Sequence, residues 1–367
     1  MKIVADDHIP YLKGALENFA EMSYITGANI SANDVKDADA LIIRTRTKVN
    51  EALLAGSQVK LVVTATIGYD HIDRDYLEKA GIKWLNCPGC NAGSVATFIA
   101  SIIAYRMELE GFDPTGKILG IIGCGNVGQK VKSVAEALGM KVLINDPPRA
   151  EQENKDNAGE SFHALDDVLQ QADFITVHVP YQQDGKYPTA YLMDKSTLAK
   201  MKDGAWLINS SRGGIVQEDD LKVELQNKRI KAVLDVWENE PDIDTKLMEL
   251  CTLATAHIAG YSVDGKANGT SYSVNHIANF FDLPLTNWAV KNLPKSGRVI
   301  DVEEGAEGFI NAVFKIYDIR GDNLYLKSAP ELFEKLRGNY APRRDINKVI
   351  FVGDRANCLK LQSMMFQ

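Results

Sequence analysis

The chain has 367 residues and a formal net charge of −8 at pH 7, so it is long enough for two or three domains. Its composition, 45% hydrophobic and 25% charged, is typical of a globular protein in water, and the negative charge argues against nucleic-acid binding, which requires a basic surface. Five cysteines, no signal peptide and no apolar run long enough for a bilayer favour a cytoplasmic protein without a membrane partner.

The N-terminal part of the chain predicts alternating strands and helices. Apolar runs at residues 1–5, 39–44 and 61–66 are typical of parallel strands buried on both faces. The last two runs end in segments 44–48 and 66–70, which carry several polar residues. Because ligands of open α/β sheets bind beyond the carboxyl ends of the strands, these segments are candidate ligand loops.

A basic cluster follows the second of these strands and consists of Arg44, Arg46 and Lys48. It could neutralise a phosphate on a small substrate, or it could be an ordinary solvated loop, and the residues alone favour neither interpretation. Since successive strand residues point in opposite directions, Arg44 and Arg46 would share a face if the extended conformation continued.

Cys87 and Cys90 form a C-x-x-C pair, which can be a redox dithiol or half of a zinc site. The sequence contains no second such pair and no nearby downstream histidine. We therefore favour incidental thiols in a loop, and no metal site is predicted.

A glycine motif gives the strongest functional signal. An apolar helix at 94–107 and a strand at 118–122 precede G-x-G-x-x-G, and an acid follows. In a dinucleotide site the glycines permit a tight turn, close approach of a pyrophosphate and close helix packing, and the acid accepts hydrogen bonds from a ribose 2′-OH. That acid favours NAD over NADP; the alternative is a strand–turn–helix without a ligand. The candidate cofactor residues are Gly123, Gly125, Asn126, Val127, Gly128 and Asp146.

Further strands are predicted at 172–178, 205–209, 232–236 and 253–255, and helices between them indicate a doubly wound sheet. A helix at 271–281 would return the chain to the first lobe. The remainder, residues 287–367, has strand-like pieces such as 348–352 and predicts a third, small α+β domain.

Three chemically distinctive side chains follow the last strands, namely Arg212, Glu240 and His257. Oxidation of a 2-hydroxy acid requires a base for the hydroxyl proton, and an imidazole titrates in the right range. A carboxylate fixes the tautomer of that ring, and a guanidinium binds the substrate carboxylate through two parallel hydrogen bonds. Each residue alone is more often structural; their order behind a dinucleotide motif favours catalysis.

The sequence resembles the D-isomer-specific 2-hydroxy acid dehydrogenase family from its N-terminus to about residue 285. The likeness rests on residues 66–73, the glycine motif, the Arg212 loop, Glu240-Pro241 and His257. It implies two flavodoxin- or Rossmann-like doubly wound parallel-sheet lobes with the active site in the cleft between them. The implied substrate domain is 1–98 with 257–286, and the implied NAD-binding domain is 99–256. The implied roles are substrate binder for Arg212, partner of histidine for Glu240 and acid/base for His257.

Within the family the chain most resembles members that oxidise a phosphorylated four-carbon acid and carry an extra C-terminal dimerisation domain, here 287–367. This likeness is carried by segments 48–51, 88–92 and 146–149, by Asp184-Gly185 with Tyr187, and by 257–261 with Gly265-Lys266. It implies a homodimer, substrate contacts from Thr45, Thr66 and Tyr261, and NAD contacts from Asp146, Asp235 and Gly260.

Two positions depart from that pattern. Thr45 stands where serine is expected and keeps the hydroxyl, and Val179 replaces a hydroxyl residue near the cofactor. Two alternatives remain open: another D-2-hydroxy acid dehydrogenase, acting on phosphoglycerate, glyoxylate or hydroxypyruvate, and a protein that senses NAD without needing catalysis.

Overall fold

The computed structural model describes residues 1–156, 160–285, 287–291, 293–294, 298–341 and 343–365. The chain forms two compact units, the first Met1–Asn91 with Ser262–Lys295 and the second Ala92–Tyr261 with Ser296–Gln367. The predicted division into three domains stays a prediction. In the described ranges, no helix is both long enough and apolar enough to cross a membrane.

The strands are β1 (Lys2–Asp6), β2 (Glu21–Ile25), β3 (Ala40–Ile43), β4 (Leu61–Thr64), β5 (Lys83–Leu85), β6 (Ile118–Ile122), β7 (Lys141–Asn145), β8 (Phe174–Val177), β9 (Trp206–Asn209), β10 (Lys231–Leu234), β11 (Leu253–Ala254), β12 (Val299–Val302) and β13 (Ile350–Gly353). The α-helices are α1 (Ala32–Val35), α2 (Glu51–Leu54), α3 (Arg74–Lys79), α4 (Ala92–Glu110), α5 (Asn126–Ala137), α6 (Pro147–Asp156), α7 (Leu165–Gln171), α8 (Lys195–Leu198), α9 (Glu218–Gln226), α10 (Thr245–Leu250), α11 (Val263–Phe280), α12 (Gly305–Ile316), α13 (Ile319–Ser328), α14 (Phe333–Gly338) and α15 (Arg355–Ser363).

The first unit is built on a parallel sheet with the strand order β2-β1-β3-β4-β5. This is the order of flavodoxin-like sheets. Every residue of β3 and β4 is buried, because apolar side chains cover both faces of the sheet. Val274 and Ile277 of α11 belong to one of these layers.

The second unit is built on a parallel sheet with the order β7-β6-β8-β9-β10-β11. The chain leaves β6 toward β7 on one side and returns to β8 on the other, so the topological switch point lies between β6 and β8. In such sheets, ligands bind in the crevice beyond the carboxyl ends at this point. The predicted fold class, two doubly wound parallel-sheet lobes, is confirmed.

Helix α4 is apolar around nearly its whole circumference, as its sequence predicts, and it runs slightly beyond the predicted 94–107. It contacts α5, and it also contacts α12, whose Phe309 and Val313 are buried. Through this contact, α12 of the C-terminal segment packs within the second unit.

The C-terminal segment also contains a small sheet, in which β12 and β13 pair in parallel. The sequence did not predict β12, and it predicted β13 about two residues too early. Val299, Ile350 and Val352 on this sheet are about half exposed. An apolar face of this kind is typical of an interaction surface.

Candidate active site

The glycine turn lies at the switch point and has the geometry of a phosphate-binding loop. Gly123 has φ of +85°, and a Cβ there would lie 2.6 Å from Val179 Cγ1. A Cβ at Gly128 would lie 2.4 Å from the carbonyl oxygen of Gly123, so only glycine lets the helix approach so closely. Gly125 precedes α5, has no atom within 4 Å of its Cβ position, and leaves its backbone accessible. This cradle fits a pyrophosphate.

Asp146 directly follows the neighbouring strand β7 and is fixed beside the turn. Its Oδ2 accepts the Cys124 N–H at 2.8 Å, and its Oδ1 accepts the Arg149 N–H at 3.2 Å. The Arg149 guanidinium donates to the Cys124 carbonyl and pairs with Glu160 at 3.2 Å. A carboxylate held in this place suits recognition of a ribose diol.

The Arg212 loop follows β9 and is shaped by its own side chains. Asn209 Oδ1 accepts the Ser211 N–H at 3.1 Å, and Asn209 Nδ2 donates to the Arg212 carbonyl at 2.9 Å. A Cβ at Gly213 would lie 2.0 Å from the Trp237 carbonyl oxygen. The loops after β9 and β10 therefore touch through their backbones, and Arg212 lies next to the loop that carries Glu240.

Glu240 and His257 form a hydrogen-bonded pair across the ends of β10 and β11. His257 Nδ1 lies 2.8 Å from Glu240 Oε2, and Glu240 Oε1 accepts the Trp237 N–H at 3.0 Å. Since a carboxylate only accepts, Nδ1 carries the proton and Nε2 of the neutral ring is the acceptor. This is the arrangement of a general base and its orienting acid.

The charges around Glu240 favour its ionised form. Burial is the largest single effect and raises the pKa of the Glu240 carboxyl, whereas the hydrogen bond and the charge of His257 lower it. The Trp237 N–H and the Arg337 guanidinium act in the same direction, so the pKa of Glu240 lies below its ordinary value. An ionised Glu240 stabilises a positive charge on His257.

Asp235 was expected to contact NAD, and the structure shows its carboxylate engaged with the loop that carries His257. It is 1% exposed and accepts hydrogen bonds from Thr255 Oγ1 at 2.6 Å, the Ile258 N–H at 2.7 Å and the Ala259 N–H at 2.9 Å. These bonds hold His257, Gly260 and Tyr261 in one defined loop. Direct contacts of Asp235 and Gly260 with NAD stay predictions.

Comparison with known proteins decides the family. Residues 99–259 match the family model described as "D-isomer specific 2-hydroxyacid dehydrogenase, NAD binding domain". The chain is 44% identical over 347 residues to the erythronate-4-phosphate dehydrogenase of Bacteroides fragilis, covering 94% of this chain and 97% of the relative. It is 36% identical over 368 residues to that of Escherichia coli K12, covering 98% and 96%.

The chain belongs to the D-isomer-specific 2-hydroxyacid dehydrogenase family.

Solved structures agree with this assignment. A D-lactate dehydrogenase from Aquifex aeolicus, complexed with NAD and lactic acid, superposes with a TM-score of 0.63 at 27% identity, covering 77% of this chain and 96% of that one. An NAD-bound 3-phosphoglycerate dehydrogenase from Entamoeba histolytica shares the fold, with a TM-score of 0.65 at 24% identity, covering 80% and 99%. This 2-hydroxyacid dehydrogenase is an NAD-dependent oxidoreductase, and NAD is its cofactor.

In the dehydrogenase's first unit, the extended conformation of β3 does not continue into the basic cluster. The Thr47 N–H donates to the Arg44 carbonyl at 3.3 Å, so residues 44–47 turn immediately after β3. Arg44 and Arg46 therefore do not continue an extended strand with alternating faces. Arg44 Nη1 donates to the His8 carbonyl at 3.1 Å, and Thr45 and Arg46 are exposed.

The other expected substrate contact of this unit, Thr66, follows β4. Its hydroxyl lies 2.7 Å from Thr64 Oγ1 and donates to the Gly68 carbonyl at 2.9 Å.

Cys87 and Cys90 are buried, and burial raises the pKa of the Cys87 thiol to about 11. A protonated thiol is a poor nucleophile and a poor metal ligand, which agrees with incidental cysteines.

Sequence reasoning missed two charged residues around the hydrogen-bonded pair of Glu240 and His257. Glu218 begins α9, and its Oε1 accepts the Glu238 N–H at 2.7 Å; burial raises the pKa of Glu218 to about 7. Arg337 of α14 places Nη1 3.6 Å from Glu240 Oε2. No spacing rule signals either residue, because Glu218 resembles any acid at a helix start and Arg337 lies far along the chain.

The position of Asp146 gives a testable prediction for cofactor choice. Asp146→Ala should weaken NAD binding roughly 10- to 100-fold, since a hydrogen bond to a charged group is lost. Discrimination against NADP should also relax, because the Asp146 charge that repels a 2′-phosphate disappears while the cationic Arg149 remains nearby. Fluorescence titration with both cofactors measures the two Kd values. Asp166→Asn, at an exposed surface ion pair, is the control. An unchanged NAD affinity would contradict a ribose contact.

Proposed function

We propose that this dehydrogenase oxidises 4-phospho-D-erythronate to 3-hydroxy-2-oxo-4-phosphooxybutanoate, with NAD as hydride acceptor, in the biosynthesis of pyridoxal 5′-phosphate. The names of its relatives, which match over nearly the full chain, support the substrate. The observation that carries the chemistry is the 2.8 Å bond between His257 and Glu240 at the edge of the NAD-binding sheet.

His257 is the proposed acid/base. With Nδ1–H held by Glu240, Nε2 accepts the proton of the C2 hydroxyl as the C2 hydride leaves. Bound NAD supplies the acceptor for that hydride. Glu240 stabilises the resulting imidazolium, and in the reverse reaction the same ring returns the proton to the carbonyl oxygen.

Arg212 is the proposed binder of the substrate carboxylate. Its planar guanidinium can form two parallel hydrogen bonds with a carboxylate and thereby fix the orientation of C2. The Asn209 contacts and the backbone contact at Gly213 support this role, because they define the course of the Arg212 loop beside the Glu240 loop.

The phosphorylated end of the substrate is assigned by proposal to the first unit. Arg44 and Arg46 supply positive charge where β3 ends, and the hydroxyls of Thr45 and Thr66 complete the proposed set in this unit. Tyr261, which lies in the second unit, stays a proposed substrate contact. The turn at 44–47 supports this assignment, since it presents consecutive residues around one corner at the carboxyl edge of the sheet.

A substrate comparison tests this proposal. The value of kcat/KM for NADH formation should be about 100-fold or more higher with 4-phospho-D-erythronate than with D-erythronate, because D-erythronate lacks the phosphate group that the guanidinium groups would bind. Arg44→Gln and Arg46→Gln should reduce only the first value, and Lys79→Gln on the same unit is the control. Equal values for both acids would contradict the phosphate site and favour another D-2-hydroxy acid. NAD binding without turnover on any hydroxy acid would favour an NAD sensor.

We further propose a cytoplasmic homodimer formed through residues 287–367. The half-exposed Val299, Ile350 and Val352 on the small C-terminal sheet support this interface.

A further inference from the structure

A second cation lies beside the catalytic pair. Arg337 Nη1 is 3.6 Å from Glu240 Oε2, the same oxygen that bonds His257 Nδ1 at 2.8 Å. The side chains of Arg337 and Glu240 are only 15% and 16% exposed, so water screens their attraction weakly. One carboxylate oxygen is therefore shared between the imidazole and a guanidinium.

The segment that carries Arg337 is anchored to the loop of the catalytic histidine. Arg343 is 8% exposed, and its Nη2 donates to the Ala259 carbonyl at 2.7 Å. Arg343 Nη1 donates to Tyr340 Oη at 2.8 Å, and Tyr340 Oη donates to Asp322 Oδ2 at 2.8 Å. Since Tyr340 lies shortly after α14, these bonds fix the end of the helix against the residues that follow His257.

The remaining ionisable groups around the pair have other partners. Asp235 lies beneath the loop and bonds Thr255 and two backbone N–H groups; Glu218 bonds the Glu238 N–H from the side of α9. Arg212, in the loop after β9, donates to the Ser211 carbonyl at 2.6 Å. Among the residues that the structure describes, Arg337 and His257 are the two basic side chains within ion-pair distance of the Glu240 carboxylate.

We propose that Arg337 is a positioning residue of the reaction, which holds Glu240 in register with His257 and limits how strongly that carboxylate attracts a proton onto the ring. The inference rests on the proposed acid/base role of His257. A base must be neutral before it accepts a proton, and an unopposed buried carboxylate would keep the imidazole charged. The Arg337 guanidinium offsets part of the negative charge that Glu240 presents to the ring. By this route, the C-terminal segment contributes to catalysis.

The test compares pH profiles of kcat for oxidation by the full-length enzyme. In Arg337→Gln the acid limb should move to higher pH by roughly 0.5 to 1 unit, because loss of a nearby cation favours the imidazolium. For the reverse reaction, in which the imidazolium donates the proton, the alkaline limb of the kcat profile should also move to higher pH. Arg337→Lys keeps the charge and should restore most of the wild-type profile. Lys335→Gln removes an equal charge from an exposed position on the same helix and should leave the profile unchanged.

A second measurement separates this inference from the proposed function. NMR titration of the six histidine rings, with the His257 signal assigned by its loss in His257→Gln, follows the ring without turnover. Its midpoint should rise in Arg337→Gln and also in Arg337→Met, which serves if the glutamine variant does not fold. Unmoved profiles and midpoints, or equal shifts in Lys335→Gln, would overturn the inference. A shifted midpoint in an enzyme that does not oxidise the phosphorylated acid would instead reject the proposed substrate.

Discussion

Replacing His257 with alanine should lower kcat for hydroxy-acid oxidation by about 10²- to 10⁴-fold, the usual contribution of a positioned general base. The Kd for NAD should change little, because the glycine turn and Asp146 do not depend on the ring. Stopped-flow measurement of NADH formation gives the first quantity, and fluorescence titration gives the second.

Two further variants serve as comparisons for the effect of His257→Ala on kcat. Glu240→Gln keeps the side-chain size and a weaker hydrogen bond, so its kcat should fall less than that of His257→Ala. His276→Ala in the first unit, whose ring contacts the Asn86 carbonyl, should leave kcat unchanged. If His257→Ala lost NAD binding in parallel with turnover, the ring would belong to the cofactor site and the acid/base assignment would fail.

The strands that form the sites could be predicted from the sequence because they are buried on both faces. Apolar runs such as Ile118–Ile122 and Phe174–Val177 can be recognised as strands without tertiary information. Glu21–Ile25 and Lys83–Leu85 were missed, because these edge strands of the first sheet are partly exposed and carry polar residues. Edge strands are defined by pairing with a neighbour more than by composition.

The proximity of the proposed catalytic residues could be predicted for a related reason. Arg212, Glu240 and His257 follow consecutive strands, and the parallel order of β9, β10 and β11 brings those ends to one edge. A periodic pattern cannot give the course of a loop after its strand ends. The extended conformation on which a shared face of Arg44 and Arg46 depended is therefore not present, since a hydrogen bond at Thr47 turns the chain immediately.

Contacts between residues that are far apart in the chain could not be predicted from the sequence. Arg337 meets Glu240 because α14 is anchored near Ala259 by Arg343, and that anchor depends on the packing of the whole C-terminal segment. Asp235 had a sequence signal, its place at a strand end. The signal could not distinguish a cofactor contact from the internal hydrogen bonds that the structure contains.

The loop that presents His257 depends on Asp235 for its conformation. His257 has φ of +55°, in the left-handed region that a non-glycine residue adopts at a cost of about 1 kcal/mol or more. The His257 N–H donates to the Asp235 carbonyl at 2.7 Å, and the next two N–H groups donate to its carboxylate. Asp235 therefore offsets the backbone strain that places the imidazole next to Glu240.

Asp235→Ala should consequently destabilise the fold by about 3 to 5 kcal/mol, because buried donors lose a charged acceptor and stay unsatisfied. Urea unfolding measures this change, and kcat of the folded fraction should fall as well, since His257 is no longer held against Glu240. Thr255→Val removes only the hydroxyl donor and should cost about 1 kcal/mol with most activity retained. A stable Asp235→Ala variant with full turnover would show that the loop holds its shape through other contacts, and the positive φ at His257 would then need a different explanation.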